Sequence, residues 1–138
     1  MIEIRCATES DLDEISRIQA ASPEAAQWNV AGYLSYECLV AVAEDRIAGF
    51  LVARQTAPDE CEILNLAVDM PLRRRGVARS LVQHWLSGRS GSVFLEVRPS
   101  NLAARKLYHS FGFEAVAVRS GYYNPPGESA IVMKFHSC

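Results

Sequence analysis

Metal and disulfide chemistry find little to work with in this chain. Its four cysteines (Cys6, Cys38, Cys61 and Cys138) show no Cys-x-x-Cys spacing, and its three histidines (His84, His109 and His136) stand at no ligand spacing. No metal site and no disulfide frame are expected, and the thiols read as those of a reduced, cytosolic protein. Net charge is also nearly absent, at -2, which argues against a general nucleic-acid binder. No apolar run approaches the ~20 residues of a membrane helix, and Met1-Ile-Glu-Ile-Arg-Cys6 has neither a basic region nor a long apolar one. The resulting expectations are a cytoplasmic location, no membrane and no nucleic acid. Internal repeats and low-complexity linkers are missing as well, so residues 1–138 are read as one domain.

What is present is organised around Ile63 to Val82. Apolar residues fill Ile63 to Val68, Pro71 stops any strand ladder, and Leu81, Val82 and Trp85 begin a helical stripe. The sequence thus predicts a strand, a basic turn and a helix starting near Gly76. The first N–H groups of a helix lack partners inside it and carry the positive end of the macrodipole, so they form a seat for an anion. Arg73, Arg74, Arg75 and Arg79 add charge, while Gly76 and Ala78 let a phosphate approach the backbone. A Walker loop would need Lys-Ser or Lys-Thr after its last glycine, and a dinucleotide fold three spaced glycines; neither is there. The remaining readings are a pyrophosphate cradle or an arginine-rich helix end that is solvated or binds RNA. Three adjacent arginines repel one another unless an anion is near.

Taken in order, Ile2, Ile4 and Cys6 alternate with charged residues and predict a half-buried strand. Thr8 with Asp11 reads as a capping box for a helix bearing Leu12, Ile15, Ile18 and Ala21. Ser22-Pro23-Glu24 predicts a second helix start, followed by Trp28, Tyr33 and Tyr36, which read as core packing or as a substrate wall. Cys38 to Ala43 and Ile47 to Ala53 form a hairpin, and Ala57-Pro58-Asp59 turns into the central strand. Ser92 to Val97 is the next strand, Ser100-Asn101 caps a helix with Ala104, Leu107, Tyr108 and Phe111 on one side, and Gly112 ends it. Glu114 to Arg119 and Ala130 to His136 close the chain as strands, around the rigid loop Tyr122-Tyr-Asn-Pro-Pro-Gly127. The order β-α-α-β-β-β-α-β-α-β-β indicates an α/β (α+β) fold, a mixed central β-sheet with helices on both faces.

Two motifs connect the chain to a known family. Arg73-x-x-Gly76-x-Ala78 after Ala67-Val68 resembles the Gln/Arg-x-x-Gly-x-Gly/Ala motif of the GNAT acyltransferases. Leu95-Glu-Val-Arg98, Ser100-Asn101, Ala104 and then Leu107-Tyr108 with Gly112-Phe113 resemble the ribosomal-protein-alanine N-acetyltransferases within that group. Arg119-x-x-Tyr122-Tyr123 and Glu128-x-Ala130-Ile-x-Met133 continue the match, which is good after Glu60 and weak before it.

The resemblance implies a splayed parallel strand pair, ending at Val68 and Val97, that holds the pantetheine arm of acetyl-CoA. Leu66, Ala67, Val68, Arg73, Arg74, Arg75, Gly76, Val77, Ala78, Arg79, Asn101 and Tyr108 are the implied cofactor contacts, with the Val68 N–H polarising the thioester carbonyl. Acetyl transfer to an amine also needs a base and a proton for the departing thiolate. Glu96 occupies the family's base position, although a strand carboxylate paired with Arg98 or Arg105 is the alternative. Tyr108, with an ordinary pKa near 10, can keep its proton at neutral pH and give it to the thiolate; packing and acid roles are compatible for it. Asn101 serves as cap, cofactor ligand or both. Trp28, Tyr33, Glu96, Arg119, Tyr122 and Tyr123 are the expected acceptor side.

Three departures from the family pattern stand in the chain, the last two on the acceptor side. The segment from Arg79 to Ser92 is shorter than usual, Ser129 replaces a commonly acidic residue, and Tyr123-Asn124-Pro125 holds one residue more than usual between tyrosine and proline. The implied partner is a protein N-terminus or peptide, typically of a ribosomal protein, with lysine or a small amine as alternative. A non-catalytic cofactor-sensing or RNA-binding module is the reading from another class. Retention of both Glu96 and Tyr108 in register speaks against it.

Overall fold

In chain order the strands are β1 (Glu3–Cys6), β2 (Glu37–Ala43), β3 (Arg46–Ala57), β4 (Glu60–Val68), β5 (Gly91–Val97), β6 (Glu114–Arg119) and β7 (Ala130–Ser137). The helices are α1 (Leu12–Ala20), α2 (Val77–Leu86) and α3 (Leu102–Ser110). The computed structural model describes residues 2–119 and 129–137. The strands join one mixed sheet in the order β1-β2-β3-β4-β5-β7-β6. Two compact units are distinguishable, Met1–Arg54 with Leu64–Arg89 and Gln55–Ile63 with Ser90–Cys138, and the division passes through β3 and β4.

In the first unit, the Thr8 N–H donates to Asp11 Oδ2 at 2.8 Å, a tight turn spans Glu9–Asp11, and α1 follows. Arg5 of β1 grips the same carboxylate at 2.8 and 3.0 Å. The predicted cap is therefore also a tether between β1 and α1. Ile15 and Ile18, on the apolar stripe of α1, join Val40 of β2 and Phe50 and Val52 of β3 in one buried cluster. Neighbouring strand residues point to opposite faces, and on the side opposite Phe50 a Cβ at Gly49 would lie 2.8 Å from Ala67 O and 3.1 Å from Val77 Cγ1. So α1 and α2 cover opposite faces of the sheet, as expected, and Gly49 is where backbone and helix come closest.

The second helix expected from Ser22-Pro23-Glu24 does not form. Instead the chain turns irregularly and makes a short tight helix at Val30–Ser35. Side chains have taken the backbone partners that a helix would need. Gln27 Nε2 donates to the carbonyls of Gln19 and Ser22, both at 3.0 Å, and Ser22 Oγ donates to Ile18 O at 2.8 Å. Such local bonds compete with helix formation.

In the second unit, β4 pairs in parallel with β5 from Glu60↔Ser92 to Ile63↔Leu95, where the paired register ends. β7 lies antiparallel to β5 and to β6, which forms the sheet edge and carries a bulge between Ala115 and Ala117. Gly91 is obligatory at the entry to β5: its φ is +98°, and a Cβ there would meet Asp59 O at 2.4 Å. The Asn101 side chain caps α3 by accepting from the Ala104 N–H at 3.2 Å, and Gly112 leaves the helix at φ +103°. Beneath α3, Tyr108 meets Phe113 edge-on at 5.4 Å and Phe113 meets Phe135 at 5.3 Å. This aromatic row fixes the ring of Tyr108.

Candidate active site

The predicted anion seat is a feature of the first unit. Gly76 is the residue before α2, at φ +78°, and a Cβ there would find no atom within 4 Å. The first bond of the helix runs from the Ser80 N–H to Gly76 O at 2.9 Å, so the N–H groups of Val77 and Ala78 have no acceptor inside it. Arg74, just before, is also left-handed, at φ +66°. The basic turn is thus open to solvent in front of its backbone, as an approaching phosphate requires.

The arginines of that turn have different tasks. Arg73 turns inward, with Nε donating to Val68 O at 3.1 Å and a guanidinium nitrogen to Glu24 Oε1 at 2.8 Å and Ser22 Oγ at 3.2 Å. It clamps the end of β4 to the loop after α1. Arg75 pairs with Glu44. Arg74 and Arg79 are exposed. Of the strand residues, Ala67 is buried, Leu66 and Val68 are half-buried, and the Leu66 N–H donates to Asn65 Oδ1 at 3.0 Å.

Asp69 holds the entry to the turn. Its side chain is 3% exposed and accepts from Arg17 at 3.0 Å and from Arg46, while its N–H donates to Ala48 O at 2.7 Å. The Arg17 and Arg46 guanidiniums outweigh the effect of burial and hold its carboxyl below the usual range.

A buried polar cluster that the sequence reading missed stands beside β4. Asn65 Nδ2 donates to Gln19 Oε1 at 3.0 Å, to Tyr33 OH at 3.1 Å and to Ala26 O at 2.8 Å. Tyr33 OH in turn donates to Gln19 Oε1, and Gln19 Nε2 donates to Trp28 O at 2.7 Å. Burial raises the Tyr33 hydroxyl to about 12. Tyr33 therefore belongs to the core, the first of its two readings, and Trp28 and Tyr36 are the exposed aromatics of the expected wall. The signal was available: asparagine is depleted in strands, and an Asn amid Ile63 to Val68 calls for buried partners.

In the second unit the structure brings together Glu96 and Arg119. Arg119 donates to Glu96 Oε1, and the carboxylate side chain is 14% exposed against 57% for the arginine. Arg105, one of the two arginines of the alternative pairing, instead donates to Pro99 O at 2.9 Å. Tyr108 is buried and Asn101 half-buried. Tyr122 and Tyr123 lie outside the described residues. Among the described residues no group of three His, Cys, Asp or Glu side chains could hold a metal ion, and no helix is long and apolar enough to cross a membrane.

Comparison with known proteins bears on both units. The family described as Acetyltransferase (GNAT) family matches residues 4–113. The ribosomal protein bS18-alanine N-acetyltransferase of Salmonella typhimurium is 38% identical over 104 residues, 71% of this chain and 70% of that protein. The protein of the same description from Haemophilus ducreyi is 32% identical over 145 aligned positions, covering 96% of this chain and 99% of that one. Among solved structures, Ard1 from Thermoplasma volcanium superposes with a TM-score of 0.90 at 28% identity, over 99% of this chain and 98% of that chain.

Proposed function

Because the chain belongs to the GNAT acetyltransferase family, we propose that it moves the acetyl group of acetyl-CoA to the N-terminal α-amine of a protein, with an N-terminal alanine of a ribosomal protein as the favoured acceptor. The observation that carries the cofactor half is the open, left-handed Gly76 before α2, with the Val77 and Ala78 N–H groups without helical acceptors. Those residues fit a pyrophosphate: the seat is cationic, unobstructed and lined by backbone donors. The acceptor half is supported by the relatives from Salmonella typhimurium and Haemophilus ducreyi.

In this reading each side chain has a defined task. Bound acetyl-CoA supplies the activated acyl group. Gly76, Val77 and Ala78 receive its phosphates through N–H groups, and Arg74 and Arg79 add attraction. Arg73 and Arg75, committed to Glu24 and Glu44, shape the turn from within. Glu96, oriented by Arg119, takes the proton from the attacking amine. Tyr108, its ring fixed on Phe113, returns a proton to the thiolate. The Val68 N–H polarises the reacting carbonyl, and Asn101 adds a cofactor hydrogen bond to its capping role.

The choice of an α-amine has a physical basis. Its ordinary pKa is near ~7.8 against ~10.4 for lysine, so deprotonation at pH 7 costs roughly 1 kcal/mol for the first and more than ~4 for the second. One carboxylate such as Glu96 meets the smaller demand. The test offers peptides that begin with alanine and the same peptides blocked at the N-terminus but carrying an internal lysine. Mass spectrometry should find acetyl groups predominantly on the α-amine; predominant lysine acetylation would overturn the assignment. Thioester turnover with mixed amines separates an enzyme from a binding module.

A further inference from the structure

We propose that the groove between α3 and β6–β7 is a binding site for a small amphipathic monocarboxylate, made of side chains that acetyl transfer does not use. The groove encloses ≈ 490 Å³ within the second unit, a volume typical of small-ligand pockets, ~300–1,000 Å³. Its floor is apolar: Leu102, Ala115, Ile131 and Met133. Its rim carries Arg105, Lys106 and His109 of α3, faced by Glu114 of β6.

This arrangement differs from an ordinary solvated helix face. Leu102, Arg105, Lys106 and His109 recur at the three- and four-residue spacing that puts them on one side of α3. A merely solvated side would have no apolar floor beneath its cations. Here the apolar surface continues outward, with Leu102 at 59% and Val118, register partner of Ile131, at 65% exposure. Arg105 already serves Pro99 O, whereas the side chains of Lys106 and His109 have no hydrogen-bonding or ion-pair partner among the described residues. A carboxylate near Lys106 and His109 would complete them, and the methylenes of Lys106 would lie along an apolar ligand body. Glu114 sets the limit on charge, since a second negative group would meet its carboxylate. Chemistry and shape together select one acid group on an alkyl or aryl-alkyl body.

The test is an NMR titration of the ¹⁵N-labelled protein with 4-phenylbutyrate, with and without acetyl-CoA. Saturable shifts are expected at Lys106, His109, Ala115 and Met133 in both cases, with 4-phenylbutan-1-ol at least ~10-fold weaker because it lacks the charge. Lys106→Glu should weaken 4-phenylbutyrate about tenfold, and Ala115→Trp should fill the groove and abolish binding, each in a protein whose spectrum stays dispersed. No saturable shift at these amides, or equal affinity for acid and alcohol, would overturn the proposal. Loss of the shifts on adding acetyl-CoA would assign the binding to the acetyl-transfer site instead.

Discussion

Asn65 and Ala26 are joined twice: the Asn65 amide donates to Ala26 O at 2.8 Å, and the Ala26 N–H donates to Asn65 Oδ1 at 3.3 Å. One side chain of β4 thus stands in for a strand neighbour and fastens the irregular segment after α1. Asn65→Leu would keep the branching of the side chain but leave the Ala26 carbonyl and N–H and the Leu66 N–H without their partner, while Tyr33 OH still donates to Gln19 Oε1. The expected loss is roughly 2–4 kcal/mol in urea unfolding. Tyr33→Phe, which removes only a hydroxyl, should cost about 1. A neutral Asn65→Leu would show that water replaces the amide.

Asp11 should hold its charge into acid that protonates ordinary carboxylates. The Arg5 guanidinium, helped by Thr8, lowers its carboxyl from the ordinary 3.8 to about 2. A depressed folded pKa contributes stability that is fully present above about pH 4 and is lost as pH falls toward 2. Asp11→Asn should therefore cost roughly 1–2 kcal/mol at neutral pH, allowing for the partial exposure of Arg5. It should also flatten stability against pH between 4 and 2, and urea midpoints measured across that range test it. An unchanged slope in the variant would mean that Asp11 is not the titrating group.

At Gly49, adding a single methyl group should be expensive. The methyl of Gly49→Ala would press on Ala67 O, a backbone atom that cannot swing aside. A loss of about 2–3 kcal/mol is expected, read as a lower denaturation midpoint. Gly32→Ala, with nothing within 4 Å of the new Cβ, serves as the mild comparison.

How much of this was legible beforehand follows from the range of each interaction. The Glu114–Arg119 range of β6, the Gly76 start of α2 and the Asn101 cap were all read from local sequence, the last two from turn and capping chemistry. Arg73 with Glu24 is 49 residues distant in sequence and Arg119 with Glu96 is 23. No spacing rule links such positions. The segment from Ser22 to Ser35 misled for a related reason: Pro23 and Glu24 are good helix-start residues, but Gln27 and Asn65 claim the backbone there.

For the anion seat, Gly76→Pro should abolish acetyl-CoA binding in a protein that remains folded by circular dichroism. Arg74→Ala should weaken binding modestly and reduce its dependence on salt. Gly76→Ala separates backbone conformation from space, since the new methyl meets nothing but must sit at positive φ, at about 1–2 kcal/mol. Calorimetry measures all three, and full affinity in a folded Gly76→Pro protein would remove the cradle.

For the chemistry, Glu96→Gln should lower turnover by ~10²-fold or more while acetyl-CoA affinity stays near wild type. Arg119→Ala, which leaves the carboxylate but frees its orientation, should lower turnover less. Tyr108→Phe should also act on turnover rather than on binding. Steady-state kinetics with a fixed peptide decide it, and wild-type rates in both Glu96→Gln and Tyr108→Phe would place the mechanism elsewhere.

The grip on Asp69 by Arg17, Arg46 and Ala48 has a kinetic meaning. With Asp69 anchored on one side of the basic turn and Val77 wedged against Gly49 on the other, the loop has no slack to rearrange around an incoming anion. Acetyl-CoA should then associate in one step. In stopped-flow mixing, the observed rate should climb in proportion to ligand concentration without levelling off, and loosening the anchor with Asp69→Asn should introduce a plateau.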